Sequence, residues 1–231
     1  MYNIQLTEDG SHTLFSEMAG QTYHSSHGAI QESRHIFISQ LSTVNGQRST
    51  VDGQQLMVLE IGFGTGLNAL LTAEWACENG SKVEYTTIEL YPLGKDVYSQ
   101  LNYGSVLNDE ALFIKLHEAE WDAGFVQIDE NFSIRKCKSD IVDFLILNSQ
   151  FSILNSSFDV VYFDAFSPDA QPELWTEEVF KNLYALMKEG GVMTTYCAKG
   201  DVRRAMLAAG FRVEKLQGPP GKRHILRATK L

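Results

Sequence analysis

Residues 56–66 are Leu-Met-Val-Leu-Glu-Ile-Gly-Phe-Gly-Thr-Gly, and this stretch decides the fold class. The apolar run Leu56–Leu59 predicts a buried parallel strand. An acidic residue, Glu60, and a glycine turn follow, after which residues 67–76 have helical spacing. The glycines of the turn are Gly62, Gly64 and Gly66. A strand, a glycine turn and a helix in this order let the backbone approach a ligand closely.

The glycine spacing and two acidic residues indicate the kind of ligand. The pattern is G-x-G-x-G, whereas a dinucleotide-binding turn needs a third small residue where Leu67 stands. Glu60 would repel a pyrophosphate but suits the ammonium in the amino acid part of S-adenosylmethionine. A second strand, Val83–Ile88, ends at Glu89, whose carboxylate can accept hydrogen bonds from both ribose hydroxyls. The sequence therefore predicts a nucleoside-type cofactor.

Composition is that of an ordinary enzyme with one α/β domain. The chain has 231 residues, of which 44% are hydrophobic and 21% charged, enough for a sizeable core. Apolar stretches are too short to span a bilayer, and residues 1–20 lack the features of a secretory signal, so a cytoplasmic protein without membrane contact is expected. The three cysteines and six histidines show no metal-ligand or disulfide spacing, so no metal is expected.

Charge is distributed unevenly along the chain. The formal net charge of −10, taken alone, argues against a nucleic acid partner. Residues 199–231, however, contain nine basic residues against Asp201 and Glu214, a net charge of +7, which leaves −17 on the other 198 residues. A basic end on an acidic body can hold a polyanion, or it can be a basic rim without a partner. The charge pattern leaves both interpretations open.

Strand and helix patterns alternate from residue 56 onward, which predicts a parallel sheet with helices on both faces. Further strands are expected at 158–163 and 192–197, and an antiparallel pair at 211–216 with 223–228. Residues 125–128 and 132–137 are expected to form either a hairpin or a loop followed by a strand. Helices are expected at 92–101, 105–118, 140–147, 173–188 (stopped by Gly190-Gly191) and 201–209. Four acidic residues fall at or just after strand ends, where ligands of such sheets bind. They are Glu60, Glu89, Asp140 and Asp164.

Residues 1–50 are expected to form a β-rich N-terminal extension before the main domain at residues 51–231. Residues 4–7 and 12–15 flank Glu-Asp-Gly-Ser, which is a hairpin signal. A helix is expected at 31–41, and the polar residues 44–53 are typical of a loop.

A second motif shows a specific resemblance to one family. Residues 158–168 are Phe-Asp-Val-Val-Tyr-Phe-Asp-Ala-Phe-Ser-Pro, and Pro-Glu-Leu-Trp follows at 172–175. Together with residues 59–68, Tyr-His-Ser at 23–25 and Lys-Arg at 222–223, this block resembles the methyltransferase module of the bacterial enzyme that completes 5-methylaminomethyl-2-thiouridine at the tRNA wobble position. The resemblance covers most of the chain from about residue 20 onward.

The resemblance implies a Rossmann-like, S-adenosylmethionine-dependent tRNA methyltransferase with a mostly parallel seven-stranded sheet. It also implies a stand-alone enzyme, without the flavin-dependent oxidoreductase fused to it in many bacteria. Catalysis is assigned to Asp164. Cofactor binding is assigned to Glu60, Gly62, Gly64, Gly66, Asn68, Glu89 and Asp140. Substrate binding is assigned to Phe166, Pro168, Arg203, Arg204, Lys222 and Arg223.

The implied reaction methylates the primary amine of 5-aminomethyl-2-thiouridine. Asp164 follows a parallel strand, where its carboxylate can accept hydrogen bonds from the amine, orient its lone pair and take up a proton. Asp164 can also be a structural turn residue, and Phe166 a core residue. Other functional classes remain open: a small-molecule methyltransferase, a polyamine synthase of the same fold, which the acidic net charge would suit, and a cofactor-binding regulator without catalysis.

Overall fold

The computed structural model describes residues 2–45, 55–151 and 157–231. Three short antiparallel strands at the N-terminus form a small sheet of their own. They are β1 (Tyr2–Leu6), β2 (His12–Ser16) and β3 (Gln21–Thr22). The first two pair as the hairpin that the sequence predicts. Its turn is held by Asp9, whose carboxylate accepts a hydrogen bond from the backbone N–H of Ser11 at 3.0 Å.

A helical segment follows this small sheet. It consists of α1 (Ala29–Ser33), a π-helical turn (Arg34–Ile38) and α2 (Ser39–Asn45). The helix predicted at 31–41 lies within it. π-Helical turns are frequent at functional sites, and Ile36 and Phe37 in this turn contact the cavity described below. The loop predicted at 44–53 falls for the most part outside the described residues.

The larger sheet has eight strands within the described ranges. They are β4 (Leu56–Ile61), β5 (Val83–Ile88), β6 (Val126–Gln127), β7 (Phe132–Cys137), β8 (Phe158–Phe163), β9 (Met187–Thr195), β10 (Arg212–Gln217) and β11 (His224–Thr229). Their order is β10-β11-β9-β8-β4-β5-β7-β6. The five central strands are parallel, and β6, β10 and β11 are antiparallel to their neighbours. The predicted parallel sheet with a C-terminal hairpin is thus confirmed, but the described residues form eight strands instead of the seven that the resemblance implies, because the two-residue β6 adds an edge strand.

Helices cover both faces of this sheet. They are α3 (Leu67–Glu78), α4 (Lys95–Tyr98), α5 (Tyr103–Val106), α6 (Glu110–Glu118), α7 (Ile141–Phe151), α8 (Glu177–Leu186) and α9 (Gly200–Ala208), with a 3₁₀ turn at Pro172–Trp175. Within the described residues, no helix combines the length and the apolarity that crossing a membrane requires.

Two hydrophobic cores lie on opposite faces of the sheet, because neighbouring residues of a strand point to opposite sides. Val58 belongs to the first core and Leu59 to the second. Leu14 and Ile36 of the N-terminal segment also belong to the first core. The extension therefore packs onto the main sheet and shares its core.

The bounds predicted for two helices, at 92–101 and 105–118, are wrong. The first is reduced to the four residues of α4. The second is divided into α5 and α6, because Asn108 adopts a left-handed φ of 59° between them. Asp109 then starts α6 afresh, since its carboxylate accepts a hydrogen bond from the backbone N–H of Leu112 at 2.9 Å.

The helix predicted at 173–188 also ends in a different way. Thr176 caps α8 by accepting a hydrogen bond from the backbone N–H of Val179, and β9 begins directly after the helix at Met187. Gly190-Gly191 therefore does not stop the helix but lies inside β9. The register between β8 and β9 is irregular at this point, and Gly190 has a φ of 74°, as is typical of a bulge.

The topology places several strand ends together. β4 lies between β5 and β8. The chain therefore adds β5 on one side of β4 and, after a later crossover, β8 on the other side. Ligands of open α/β sheets bind at such a switch point, beyond the carboxyl ends of the strands. The segments that follow β4, β5, β7 and β8 meet at this edge.

Candidate active site

A cavity of about 540 Å³ lies at the carboxyl edge of the sheet. Eight of the residues predicted from the sequence contribute to its wall. They are Gly62, Gly64, Asn68, Glu89, Asp140, Asp164, Phe166 and Lys222. Tyr23 and Glu32 of the N-terminal segment also line the cavity, and Lys222 belongs to the C-terminal hairpin. The cavity is large enough for a nucleoside cofactor together with part of an acceptor.

The glycine turn needs the freedom that only glycine has. Gly62, Gly64 and Gly66 have φ values of 91°, 49° and 74°. A Cβ on Gly62 would lie 3.1 Å from the backbone oxygen of Asp164, and one on Gly64 would lie 3.0 Å from the ring of Tyr23. The turn therefore forms a narrow cradle in which the backbone can approach a ligand, as the sequence predicts.

Two buried histidines hold this turn, and neither could be predicted from the sequence. The Nε2 atom of His24 is hydrogen-bonded to Oγ1 of Thr65 at 2.8 Å, and Nε2 of His117 donates to the Thr65 backbone oxygen at 3.1 Å. Burial lowers the pKa of each histidine to about 4. Both rings are therefore neutral at physiological pH and serve to position the turn. Because these histidines lie 41 and 52 residues from Thr65, no local sequence signal connects them.

Glu89 connects the ends of β4 and β5. One oxygen of its carboxylate accepts a hydrogen bond from the backbone N–H of Gly64 at 3.1 Å, and the other accepts one from the N–H of Tyr91 at 2.9 Å. The carboxylate thus lies beside the glycine turn and contacts the cavity, where the sequence prediction requires it.

Glu60 occupies a different position from the other acidic residues. Its side chain is fully buried in β4, behind the cavity wall, where it accepts a hydrogen bond from the hydroxyl of Thr87 at 2.8 Å. Burial raises the pKa of Glu60 well above its ordinary value. The Glu60 side chain therefore lies behind the cavity wall, in surroundings that favour its uncharged form.

Asp164 and Asn68 form a polar pair in the cavity wall. The side-chain amide of Asn68 donates a hydrogen bond to the Asp164 carboxylate at 2.8 Å. Burial raises the pKa of Asp164 to about 8, while the hydrogen bond from Asn68 acts in the opposite direction. The amide oxygen of Asn68 is buried and has no hydrogen-bond partner among the described residues. Because buried acceptors are normally satisfied, this oxygen is suited to a donor on a ligand.

Asp140 caps α7. Its carboxylate accepts hydrogen bonds from the backbone N–H groups of Val142 at 2.8 Å and Asp143 at 3.2 Å. The residue also contacts the cavity, on the side of Glu89 and Tyr91. Its structural role and its predicted contact with the cofactor are therefore compatible.

Phe166 lies in the cavity wall, and its backbone is fixed at both ends. Its N–H donates to the side-chain oxygen of Gln171 at 3.0 Å, and its carbonyl accepts a hydrogen bond from the indole of Trp175 at 2.9 Å. The ring packs edge-on against Tyr23, with 4.9 Å between the ring centroids. Pro168, in contrast, follows outside the cavity, next to Asp169, which pairs with Lys199 at 2.6 Å.

The predicted basic residues occupy two distinct places. Lys222 contacts the cavity and pairs with Glu32. Arg223, at the tip of the β10–β11 hairpin, is exposed. Arg203 and Arg204 lie on α9, where Arg204 pairs with Asp201 at the surface. Within the described residues no group of three or more histidines, cysteines or acidic residues has the arrangement of a metal site.

Comparison with known proteins connects this geometry to a family. A profile described as S-adenosyl-L-methionine-dependent methyltransferase matches residues 118–231. The tRNA 5-methylaminomethyl-2-thiouridine biosynthesis bifunctional protein MnmC of Ectopseudomonas mendocina is 28% identical over 97% of this chain and 34% of that protein. MnmC of Azoarcus sp. is 29% identical over 99% of this chain and 35% of that protein. The chain therefore spans about a third of the length of these relatives.

A solved structure has the same fold over the whole chain. The crystal structure of MnmC2 from Aquifex aeolicus superimposes with a TM-score of 0.77 and 25% identity, covering 100% of this chain and 70% of that one. The fold, the glycine turn and the profile match over residues 118–231 all resemble one class of protein, the S-adenosyl-L-methionine-dependent methyltransferases. More particularly, the chain is a homologue of the methyltransferase part of MnmC, which confirms the resemblance stated from the sequence.

Proposed function

We propose that the protein methylates 5-aminomethyl-2-thiouridine at the wobble position of tRNA, giving 5-methylaminomethyl-2-thiouridine. The observation that carries the proposal is the position of Asp164, a carboxylate held by Asn68 in one cavity with the glycine turn. The role of the MnmC relatives in 5-methylaminomethyl-2-thiouridine biosynthesis supports the choice of substrate. A tRNA substrate also favours a cytoplasmic location.

The cofactor would lie along the glycine turn. The backbone cradle at Gly62 and Gly64 would hold its amino acid part, and the buried amide oxygen of Asn68 would be available to accept a hydrogen bond from the ammonium of that part. Glu89 would bind the ribose hydroxyls, and Asp140 would contact the adenine amine. Glu60 and Gly66 support the turn from behind, Glu60 as a buried group in β4. The residues present therefore fit S-adenosylmethionine.

Methyl transfer then depends on whether Asp164 can take up a proton from the acceptor amine. S-Adenosylmethionine supplies a methyl group that is already activated as a sulfonium. The amine must lose its proton before it can attack, and a primary alkylammonium has a pKa of about 10. An ordinary aspartate is a poor match for that proton, whereas burial raises the pKa of Asp164 to about 8. The raised pKa makes Asp164 a better proton acceptor, and its hydrogen bond to the amine orients the lone pair.

The aromatic wall next to Asp164 suits a nucleobase. Phe166 and Tyr23 meet edge to face above the cavity, and each offers an apolar surface to a flat ring. Pro168 would support the loop that carries Phe166. This arrangement would place the exocyclic amine of a flipped uridine at the Asp164 carboxylate.

The function is tested with labelled S-adenosylmethionine and tRNA from cells that lack the final methylation. We expect label in 5-methylaminomethyl-2-thiouridine after nucleoside analysis. Parallel reactions with polyamines and small amines distinguish a small-molecule enzyme from a tRNA enzyme. Cofactor binding without transfer to any acceptor would identify a regulator and overturn the proposal.

The tRNA surface gives a second prediction. Arg203, Arg204 and Arg223 lie on α9 and at the hairpin tip, and Lys199, just before α9, pairs with Asp169 in the loop that carries Phe166. If these arginines bind phosphates, replacing all three by alanine releases fewer counterions. We expect the log–log slope of tRNA affinity against salt to become shallower by about 0.7 to 0.9 for each arginine–phosphate interaction that is removed.

Filter binding of tRNA across a salt series measures this slope. The matched control removes three lysines elsewhere on the surface and thus the same total charge. It carries Lys82→Ala, Lys95→Ala and Lys181→Ala. An equal change of slope in this control would show that total charge, rather than this surface, determines tRNA binding.

A further inference from the structure

Glu32 and Lys222 form a partly buried ion pair in the cavity wall, between residues that are 190 positions apart in the chain. Glu32 belongs to α1, and its side chain is only 9% exposed. Its second carboxylate oxygen accepts a hydrogen bond from the backbone N–H of Ser25 at 2.8 Å. The pair therefore ties three segments together: the strand-to-helix loop, α1 and the C-terminal hairpin.

Lys222 is also connected to the segment that carries Asp164. Its ammonium lies 4.9 Å from the centre of the Tyr196 ring, close enough for a cation–π contact. The hydroxyl of Tyr196 donates a hydrogen bond at 2.9 Å to the backbone oxygen of Ala165, the residue next to Asp164. A chain of contacts thus connects Glu32, Lys222 and Tyr196 to the backbone at the candidate catalytic residue.

Other contacts fix the same hairpin against the N-terminal segment. The imidazole of His35 is hydrogen-bonded to the backbone oxygen of Gln217 at 2.8 Å. A Cβ on Gly221 would overlap the ring of His27, so the hairpin tip packs closely against this residue. The position of Lys222 in the cavity is therefore determined by the fold.

We propose that Glu32 and Lys222 are positioning residues of the methyl transfer: they hold the acceptor end of the cavity in shape and set the charge balance at Asp164. This inference rests on the proposed role of Asp164 and extends it to two further residues of the cavity wall. Lys222 then acts inside the site, whereas the sequence pattern assigned it to a substrate surface together with Arg223.

The electrostatic argument predicts opposite effects for the two partners. The carboxylate of Glu32 disfavours ionisation of Asp164 and raises its pKa, whereas the ammonium of Lys222 lowers it. The other titratable groups that act on or face Asp164 are Glu60 of β4, Tyr85 of β5 and Tyr196 after β9. Lys222 is the cation in this set, so its removal leaves Asp164 among neutral or acidic groups.

The test compares Lys222→Met, Glu32→Gln and Lys222→Arg in the full chain. The carboxyl of Asp164 is titrated by NMR of carbon-13-labelled aspartate, and its signal is assigned by its absence in Asp164→Asn. We expect the midpoint to rise by about half to one pH unit in Lys222→Met and to fall by a similar amount in Glu32→Gln. In Lys222→Arg, which keeps the charge, we expect the wild-type midpoint. Lys199→Met, which breaks the exposed pair with Asp169, is the matched control and should not move it.

Single-turnover methylation of tRNA gives the functional readout. The rate should rise with pH as Asp164 ionises, and this rise should move to higher pH in Lys222→Met. Below the midpoint the rate should fall about three- to tenfold, since one pH unit corresponds to a factor of ten. The affinity for S-adenosylhomocysteine, measured by calorimetry, should not change, because the pair lies at the acceptor end.

Three results would contradict the inference or the proposed function on which it rests, and each has a different signature. An unmoved midpoint in both variants, with the tRNA salt slope shallower in Lys222→Met, would identify Lys222 as a phosphate-binding residue and overturn the inference. An equal loss of rate at every pH without a shift of the midpoint would leave the pair only its role in holding the shape of the cavity, and would overturn its assignment to the charge balance at Asp164. If the wild-type protein transferred no methyl group to tRNA, the proposed function would fail, while the titration would still report on the pair.

Discussion

Asp164→Asn is expected to slow methyl transfer to tRNA about a hundredfold to ten-thousandfold, the usual range for the loss of a general base. The substitution keeps the size and the hydrogen bonding of the side chain but removes its ability to take up a proton. Asn68 can still donate to the side-chain oxygen of the new residue, so the cavity wall should keep its shape. Affinity for S-adenosylhomocysteine should therefore stay at the wild-type value.

The measurement is a single-turnover reaction with saturating cofactor and tRNA. Asp169→Asn is a suitable control, because Asp169 lies in the same loop but its side chain is 82% exposed and pairs with Lys199. The control should transfer methyl groups at nearly the wild-type rate. If Asp164→Asn itself reacted at close to the wild-type rate, Asp164 would have no role in proton transfer and would be a structural residue.

Three of the central strands, Val83–Ile88, Phe132–Cys137 and Phe158–Phe163, could be predicted with accurate bounds, whereas β9 begins five residues before the predicted strand at 192–197. Phe158–Phe163 is a largely apolar run, typical of a strand buried on both faces, and Val83–Ile88 is rich in β-branched and aromatic residues. The helix end at Gly190-Gly191 could not be predicted in the same way. Glycines after a helical pattern normally indicate a helix stop, but here they form an irregular part of β9, and that depends on how β9 pairs with β8.

The same distinction applies to the site. Glu89 and Asp164 could be placed together because the carboxyl ends of parallel strands meet at one edge, and both contact the cavity. The partnership of Glu32 with Lys222 could not, since it joins the two ends of the chain. Glu60 differs from this expectation, since its type and position suggested a charge facing the ligand, whereas its side chain is fully buried in β4 and burial raises its pKa well above the ordinary value.

Gly64→Leu is expected to weaken binding of S-adenosylhomocysteine more than about a hundredfold, which corresponds to at least about 2.8 kcal/mol. The new Cβ would lie 3.0 Å and 3.1 Å from two carbons of the Tyr23 ring, and the rest of the side chain would extend into the cradle. Tyr23 has little room to move, because it packs edge-on against Phe166. The backbone approach that the cofactor needs would therefore be blocked. Calorimetry with S-adenosylhomocysteine measures the loss.

A matched control separates this obstruction from backbone strain. Gly64 has a φ of 49°, and a side chain in this left-handed region costs about 1 to 3 kcal/mol of stability. Gly80, after α3, has a φ of 59°, but a Cβ there would meet no heavy atom within 4 Å. Gly80→Leu should therefore lower the melting temperature about as much as Gly64→Leu and yet bind S-adenosylhomocysteine normally. If both variants lost affinity equally, strain and partial unfolding would explain the effect; if both bound normally, the cofactor would lie elsewhere than along the glycine turn.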